Sequence, residues 1–296
     1  MHSTTTVRRV AAGAWLALAA ALWPVTGLAD ADELHAQYQA LQDELGNNGF
    51  GRPLHIVSAE QQERLAGVVH AVLDHPFATV SAALRRPASW CDILILPFNT
   101  KYCHAVEGPS GSALRVRIGR RFDQPVEQAY RLRFEHRNVA LQPGYFESRL
   151  LADQGPVGTR DYRIVVSAVP LEGQRTFLRL DYSYGAGWAG RTAMQLYLAT
   201  AGADKTGFTV VGQDASGQPL YIGGVRGAVE RNAMRYYLAV DAYLDSLAAP
   251  PEQQVDRRIR GWYKATQHYP QLRELDLGTY AAMKRQEVER QQTLLE

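Results

Sequence analysis

Gly185, Gly187 and Gly190, within YSYGAGWAGRTAMQLYL (Tyr182 to Leu198), form a G-x-G-x-x-G array between an alternating stretch and a helical one. The chemistry such spacing can do is pyrophosphate binding at a strand-to-helix turn. The surroundings argue otherwise. A strand entering a dinucleotide turn is buried on both faces and nearly all apolar, whereas Phe177-Leu178-Arg179-Leu180-Asp181-Tyr182 alternates charge with apolar residues. The ribose-binding carboxylate belongs about 20 residues further on. Asp214 follows Gly190 by 24 and stands beside a hairpin turn instead. The array reads as a flexible connection beside aromatic rings, and no cofactor is expected.

Other chemistry-bearing residues are sparse. Cys91 and Cys103 are the two cysteines. In an exported chain an isolated pair most simply makes one disulfide. A redox pair or a metal site is the alternative, but neither a CxxC spacing nor a neighbouring His/Cys cluster supports it. The eight histidines are scattered, none paired at metal-ligand spacing; no metal is expected. No GxSxG elbow, HExxH pair or P-loop occurs in the sequence. Glu230, Arg231 and Arg235 have acid/base character, yet no partner is fixed near them, so they read as charges on an exposed helix face. No catalytic residue is assigned.

The elements that position these residues begin after a targeting segment. Arg8-Arg9, an apolar run from Val10 to Trp23, and Gly27-Leu28-Ala29 have the form of a secretory signal peptide over residues 1–29. No Cys follows the cleavage point, against a lipoprotein route. The chain is expected to be exported to the periplasm. Without that segment 30 basic and 30 acidic residues remain, so no electrostatic footprint for nucleic acid is expected.

Residues 30–62 form an N-terminal helical extension, with Leu34, Tyr38, Leu41 and Leu45 at helical spacing before Asn47-Asn48-Gly49. Glu63 to Asp74 is strand or helix, and Phe77 to Leu84 is a short helix. Period-two alternation then marks strands at Ala113 to Gly119, Tyr130 to Asn138 and Arg175 to Tyr184. Phe146 to Ala152 and Tyr162 to Ala168 add two more. One wet and one buried face indicate an antiparallel sheet. Arg191 to Thr200 reads as a helix, and Gly207 to Ile222 as a hairpin. The clearest helix runs from about Ala228, with Val229, Ala233, Tyr237, Val240, Leu244 and Leu247 on one stripe. Pro250-Pro251 ends it, and residues 250–296 form a charged helical tail.

This order resembles the START-like (SRPBCC, helix-grip) superfamily of lipid-transfer domains, polyketide cyclases and pollen-allergen-like proteins, and uncharacterised exported bacterial proteins with similar terminal helices. The carriers are LAGVVHAVLDHPFATVSAALRRPASWCDILI (Leu65 to Ile95), with His75-Pro76-Phe77 and Trp90, the strand series and the MRYYLAVDAYL helix. The resemblance implies an α+β fold over residues 63–249, a curved antiparallel sheet gripping a long C-terminal helix, with extra helices at both ends. It also implies a cavity for an apolar ligand between sheet and helix. The inward strand positions would be Leu132, Phe134, His136, Leu180, Tyr182 and Tyr184, facing Ala233, Tyr237, Val240 and Leu244. A filled core explains the same residue types equally well. His136 either orients a ligand or is hydrogen-bonded in the core.

The expected function is therefore an exported protein binding or carrying a hydrophobic small molecule or lipid, with at most transient membrane contact and no assigned protein partner. A cyclase- or hydrolase-type enzyme using His136 and the tyrosines is one alternative. An envelope interaction module gripping a partner through Trp262 of the tail is another.

Overall fold

The computed structural model describes residues 31–109, 111–187, 192 and 205–295. The segment over residues 1–29, read from the sequence as a signal peptide, and, apart from Thr192, the helix read over Arg191 to Thr200 lie outside the described residues.

Two short helices, α1 (Ala31–Ala40) and α2 (Gln42–Gly46), open the chain. Strands β1 (Leu54–Gln61) and β2 (Arg64–Leu73) follow as a hairpin, then α3 (Phe77–Leu84) and α4 (Pro87–Leu94). The remaining strands of the sheet are β3 (Thr100–Gly108), β4 (Gly111–Ile118), β5 (Tyr130–Gln142), β6 (Tyr145–Gln154), β7 (Thr159–Leu171) and β8 (Arg175–Ala186). Every neighbouring pair is antiparallel, in the order β1-β2-β8-β7-β6-β5-β4-β3. A separate hairpin, β9 (Val210–Gln213) and β10 (Pro219–Tyr221), precedes the long helix α5 (Gly224–Ser246), and α6 (Pro251–Gln267) and α7 (Leu277–Arg290) complete the chain. Seven strands, β2 to β8, with two short helices after the first and a long helix after the last, make a helix-grip α+β fold.

The ambiguous Glu63 to Asp74 segment is a strand. Two further strands went unassigned in the sequence. β1 falls inside the proposed helical extension; its alternation is clear only at Leu54 and Ile56, the rest being half or fully exposed. β3 mixes Lys101 and His104 with apolar residues because its outer side is covered by the chain terminus: Tyr102 OH donates to Thr293 O (2.7 Å) and His104 Nδ1 lies 2.8 Å from Gln291 O.

The concave face of the sheet, α3 to α7 and Trp90 enclose one large core. Gly67 of β2 allows the closest approach of α5: a Cβ there would lie 3.1 Å from Val229 O and 3.2 Å from Ala233 Cβ. A smaller core lies on the outer face, where α1 and α2 pack Leu34 and Leu45 against Val72, Tyr145, Val169 and Phe177. Cys91 and Cys103 form a disulfide, Cα atoms 5.1 Å apart, tying α4 to β3. A loop this short stabilises by about 3 kcal/mol in the chain-entropy picture.

The tail folds back onto this body. Trp262 is fully buried, with Phe98 and Tyr280 rings 5.0 and 5.3 Å away, and its Nε1 donates to Arg235 O (3.1 Å). Lys284, also fully buried, donates to Pro97 O (2.7 Å), Thr100 O (3.0 Å) and Glu287 (2.7 Å). Lys101 reaches the same Glu287 carboxylate from β3, at 3.0 Å.

The reading of Glu230 and Arg231 as exposed charges is corrected. Both are buried, because β1 and the segment around Phe208 close over that side of α5. Glu230 accepts from Phe208 N–H (2.6 Å), Thr209 N–H (3.0 Å), the Thr209 hydroxyl (2.7 Å) and the Ser58 hydroxyl (2.5 Å). Arg231 donates to Thr206 O at 3.0 Å. Arg235 is half-buried and paired with Glu274.

Candidate ligand-binding cavity

Period-two alternation turns the even-numbered residues of β5, β7 and β8 toward α5. Where β5 and β8 diverge from the first half of that helix, the core is not filled. A cavity of about 790 Å³ remains, within the range of small-molecule sites. Leu132, Phe134 and Tyr130 of β5 form one wall, and Tyr162 of β7 with Tyr182 and Tyr184 of β8 form the floor. α5 contributes Ala228, Arg231, Asn232, Arg235 and Tyr236. The β4–β5 loop, with exposed Phe122, and the β6–β7 turn, with exposed Val157, frame the mouth.

The phenol rings pack on one another. Tyr162 and Tyr184 stack at 5.1 Å, and Tyr182 meets Tyr236 at 5.2 Å and Tyr184 at 5.7 Å. Burial pushes all four hydroxyls above the ordinary phenol pKa; neighbouring phenols add to the rise at Tyr182, Tyr184 and Tyr236, while hydrogen bonds with Thr159 and Tyr182 partly counter it at Tyr162. They therefore stay protonated through the physiological range and act as hydrogen-bonding groups rather than bases. The Thr159 hydroxyl donates to Tyr162 OH (3.0 Å), and a hydrogen bond with Asn232 partly counters the rise at Tyr182.

The end near α5 is cationic. Arg235 pairs with Glu274, and Lys205 stands 3.7 Å from the same carboxylate. Arg235 Nε is buried without a hydrogen-bond partner among the described residues. A buried donor left unpaired is costly, and a ligand acceptor placed beside it would remove that cost. The cavity can thus take an apolar body against the rings and an acceptor or anionic head at Arg235. Among the described residues no group of three His, Cys, Asp or Glu side chains could hold a metal.

Of the positions inferred from sequence, Leu132, Phe134, Tyr182 and Tyr184 line this cavity, and the other six do not. Leu180 is fully buried on the same face, deeper in the core. His136 is buried, its Nε2 3.1 Å from Ser148 Oγ, and burial lowers its pKa. Ala233 packs on Gly67. Tyr237 lies beneath the Arg52 guanidinium (5.1 Å), its own hydroxyl buried without a hydrogen-bond partner among the described residues. Val240 and Leu244 belong to the main core. The helix turns Ala228, Asn232, Arg235 and Tyr236 to the cavity instead. α5 is packed on several sides, so its most apolar stripe did not reveal which side borders the space. Tyr162 was recoverable by extending the parity of Ile164 and Val166 one step back; Arg235 and Tyr236 carried no such signal.

The strand ending at the glycine array, β8, is antiparallel to both neighbours, and Gly185 and Gly187 lie beside Arg160; Gly190 lies outside the described residues.

The sequence matches no family model and no curated protein. Among solved structures, a conserved Enterococcus faecalis protein of unknown function aligns over 80% of this chain and 91% of its own, at 6% identity and a TM-score of 0.36. A START superfamily protein from Mycobacterium smegmatis aligns over 50% and 89%, at 16% identity and TM-score 0.32. Human StAR-related lipid transfer protein 5 aligns over 57% and 88%, at 8% identity and TM-score 0.32. The fold assignment rests on strand order and helix placement, and the functional reading on the cavity's own residues.

Proposed function

We propose that this protein encloses an amphiphile, an apolar body with an anionic or hydrogen-bond-accepting head, and carries it without covalent chemistry. The carrying observation is the cavity of about 790 Å³ between sheet and α5, walled by tyrosines and ending at Arg235. Removal of apolar ligand surface from water, roughly 25 cal/mol per Å² before losses, drives uptake. Export is part of the reading. It is supported by the basic, apolar and small-residue sequence of positions 1–29 and by the Cys91–Cys103 bridge, since such bridges persist in oxidising compartments.

The enzyme alternative drew on His136, which does not line the cavity, and on phenols that burial holds protonated. The interaction-module alternative drew on Trp262, which is buried. Neither gains an observation in its favour.

Titration with a fluorescent long-chain carboxylate, followed by displacement with sterols, lysophospholipids and aromatic acids, tests the reading. Arg235→Gln should weaken carboxylate binding about ten-fold, the scale of one hydrogen bond to a charged group, and leave a matching hydrocarbon without an acceptor unaffected. Absence of saturable uptake for every amphiphile, with native mass spectrometry of protein from its own compartment showing a clean apo mass, would overturn it.

A further inference from the structure

The outer face of the sheet carries a cluster of arginines beside the cavity's far wall. Arg115 of β4 and Arg131 and Arg133 of β5 are exposed, while Arg117, on the same side of β4, is buried and has its own interactions. The register sets Arg115 directly opposite Arg133, and Arg117 directly opposite Arg131. Like charges in that position destabilise a sheet, so the arrangement is costly unless an anion meets it. Arg115, Arg131 and Arg133 make no ion pair among the described residues, while the neighbouring Arg137 is paired with Glu135 at 2.7 Å. Among the described residues, Glu135 and Asp153 line the groove and Glu127 lies near Arg117.

The sheet is split beside the array. β5 pairs with β6 only from Glu135 onward, and residues 130–134 pair with β4 alone. Ala152 and Gln154 of β6 pair with β7. A groove of about 970 Å³ occupies the split, bordered by the arginines and by Leu151, Asp153 and Gln154. Leu132 lines both this groove and the ligand cavity. The ladder end beyond Arg117 and Arg131 continues into the β4–β5 loop, where Phe122 stands exposed at the cavity mouth.

We propose that this face docks the protein on an anionic phospholipid membrane. The three exposed arginines lie about 5 Å apart across the strands and about 7 Å apart along β5, set by strand spacing and two-residue rise. A single phosphate is satisfied by one bidentate guanidinium. An array of this extent suits anionic headgroups side by side. Docking is independent of what the cavity carries, so its test uses no cargo.

The full-length mature protein is floated with vesicles of phosphatidylcholine alone, or with about one third phosphatidylglycerol, at low salt. Binding is expected to the anionic vesicles only. Each basic residue near such a surface contributes about five-fold, so Arg131→Gln/Arg133→Gln together should weaken binding about 30-fold. The equally charge-reduced Arg85→Gln/Arg86→Gln should bind as the wild type does. Salt near 1 M, where the screening length falls to about 3 Å, should release the protein. The array substitutions relieve repulsion, so their Tm should match or exceed the wild-type value. Equal binding to both vesicle types, undiminished binding by the array variant, or no vesicle binding would overturn the proposal. So would arginine-dependent binding of inorganic pyrophosphate without vesicle binding, which would make the groove a small-anion site.

Discussion

His70 offers a quantitative test of how α1 and α2 seal the outer face. It sits on β2, 8% exposed, its ring stacked on Phe177 at 6.0 Å with His55 6.2 Å away. Its Nδ1 is buried without a hydrogen-bond partner among the described residues. Burial, with smaller contributions from the Arg179 and His55 charges, lowers its pKa from 6.5 to about 3. The sign follows from linkage: between those values the unfolded chain binds the proton and the folded one does not. Stability is therefore complete above pH 6.5 and falls as the pH drops toward 3. At about 1.4 kcal/mol per pH decade, the loss from His70 is about 2 kcal/mol by pH 5 and approaches 5 kcal/mol near pH 3. His55 and His136, whose pKa values burial also lowers, act in the same direction, so the wild type alone does not isolate the effect. The difference between wild type and His70→Phe does. Urea unfolding at pH 7, 6, 5 and 4 should show the variant gaining on the wild type by about that amount. Parallel curves across the series would refute the claim that the fold holds His70 neutral.

Three further outcomes are expected. Glu230→Ala leaves the Phe208 and Thr209 amides without their buried acceptor and should cost about 2–3 kcal/mol in chemical denaturation. Gly67→Val forces α5 away from β2 at Val229 and Ala233 and should lower stability by about 1–3 kcal/mol, with amphiphile affinity changing in the same variant. Cys91→Ser removes the α4–β3 tie and should cost about 3 kcal/mol; dithiothreitol should lower the Tm of the wild type but not of the variant.

The parts of the fold legible in the sequence are those with one wet wall. Tyr130 to Asn138 alternates cleanly because its outward arginines meet solvent while Leu132, Phe134 and His136 are buried. β3 broke the pattern because the tail covers its outward side, so Lys101 and Tyr102 are both buried. Leu132, Phe134, Tyr182 and Tyr184 were reachable by strand parity. The helical side of the cavity was not. Periodicity reports that α5 is enclosed, not which of its neighbours stops short. Glu230 shows a related limit: a carboxylate reads as a surface group until the distant amides of Phe208 and Thr209 are seen to converge on it.

The buried Lys101–Glu287–Lys284 bridge gives the last helix a protective duty. β3 ends the strand order, and a bare outermost strand is a template on which another copy can add itself. By clamping α7 there, the bridge keeps that flank shut during whatever journey the chain makes. A version lacking the final twenty residues would be a sticky molecule rather than a smaller one, prone to self-association along β3.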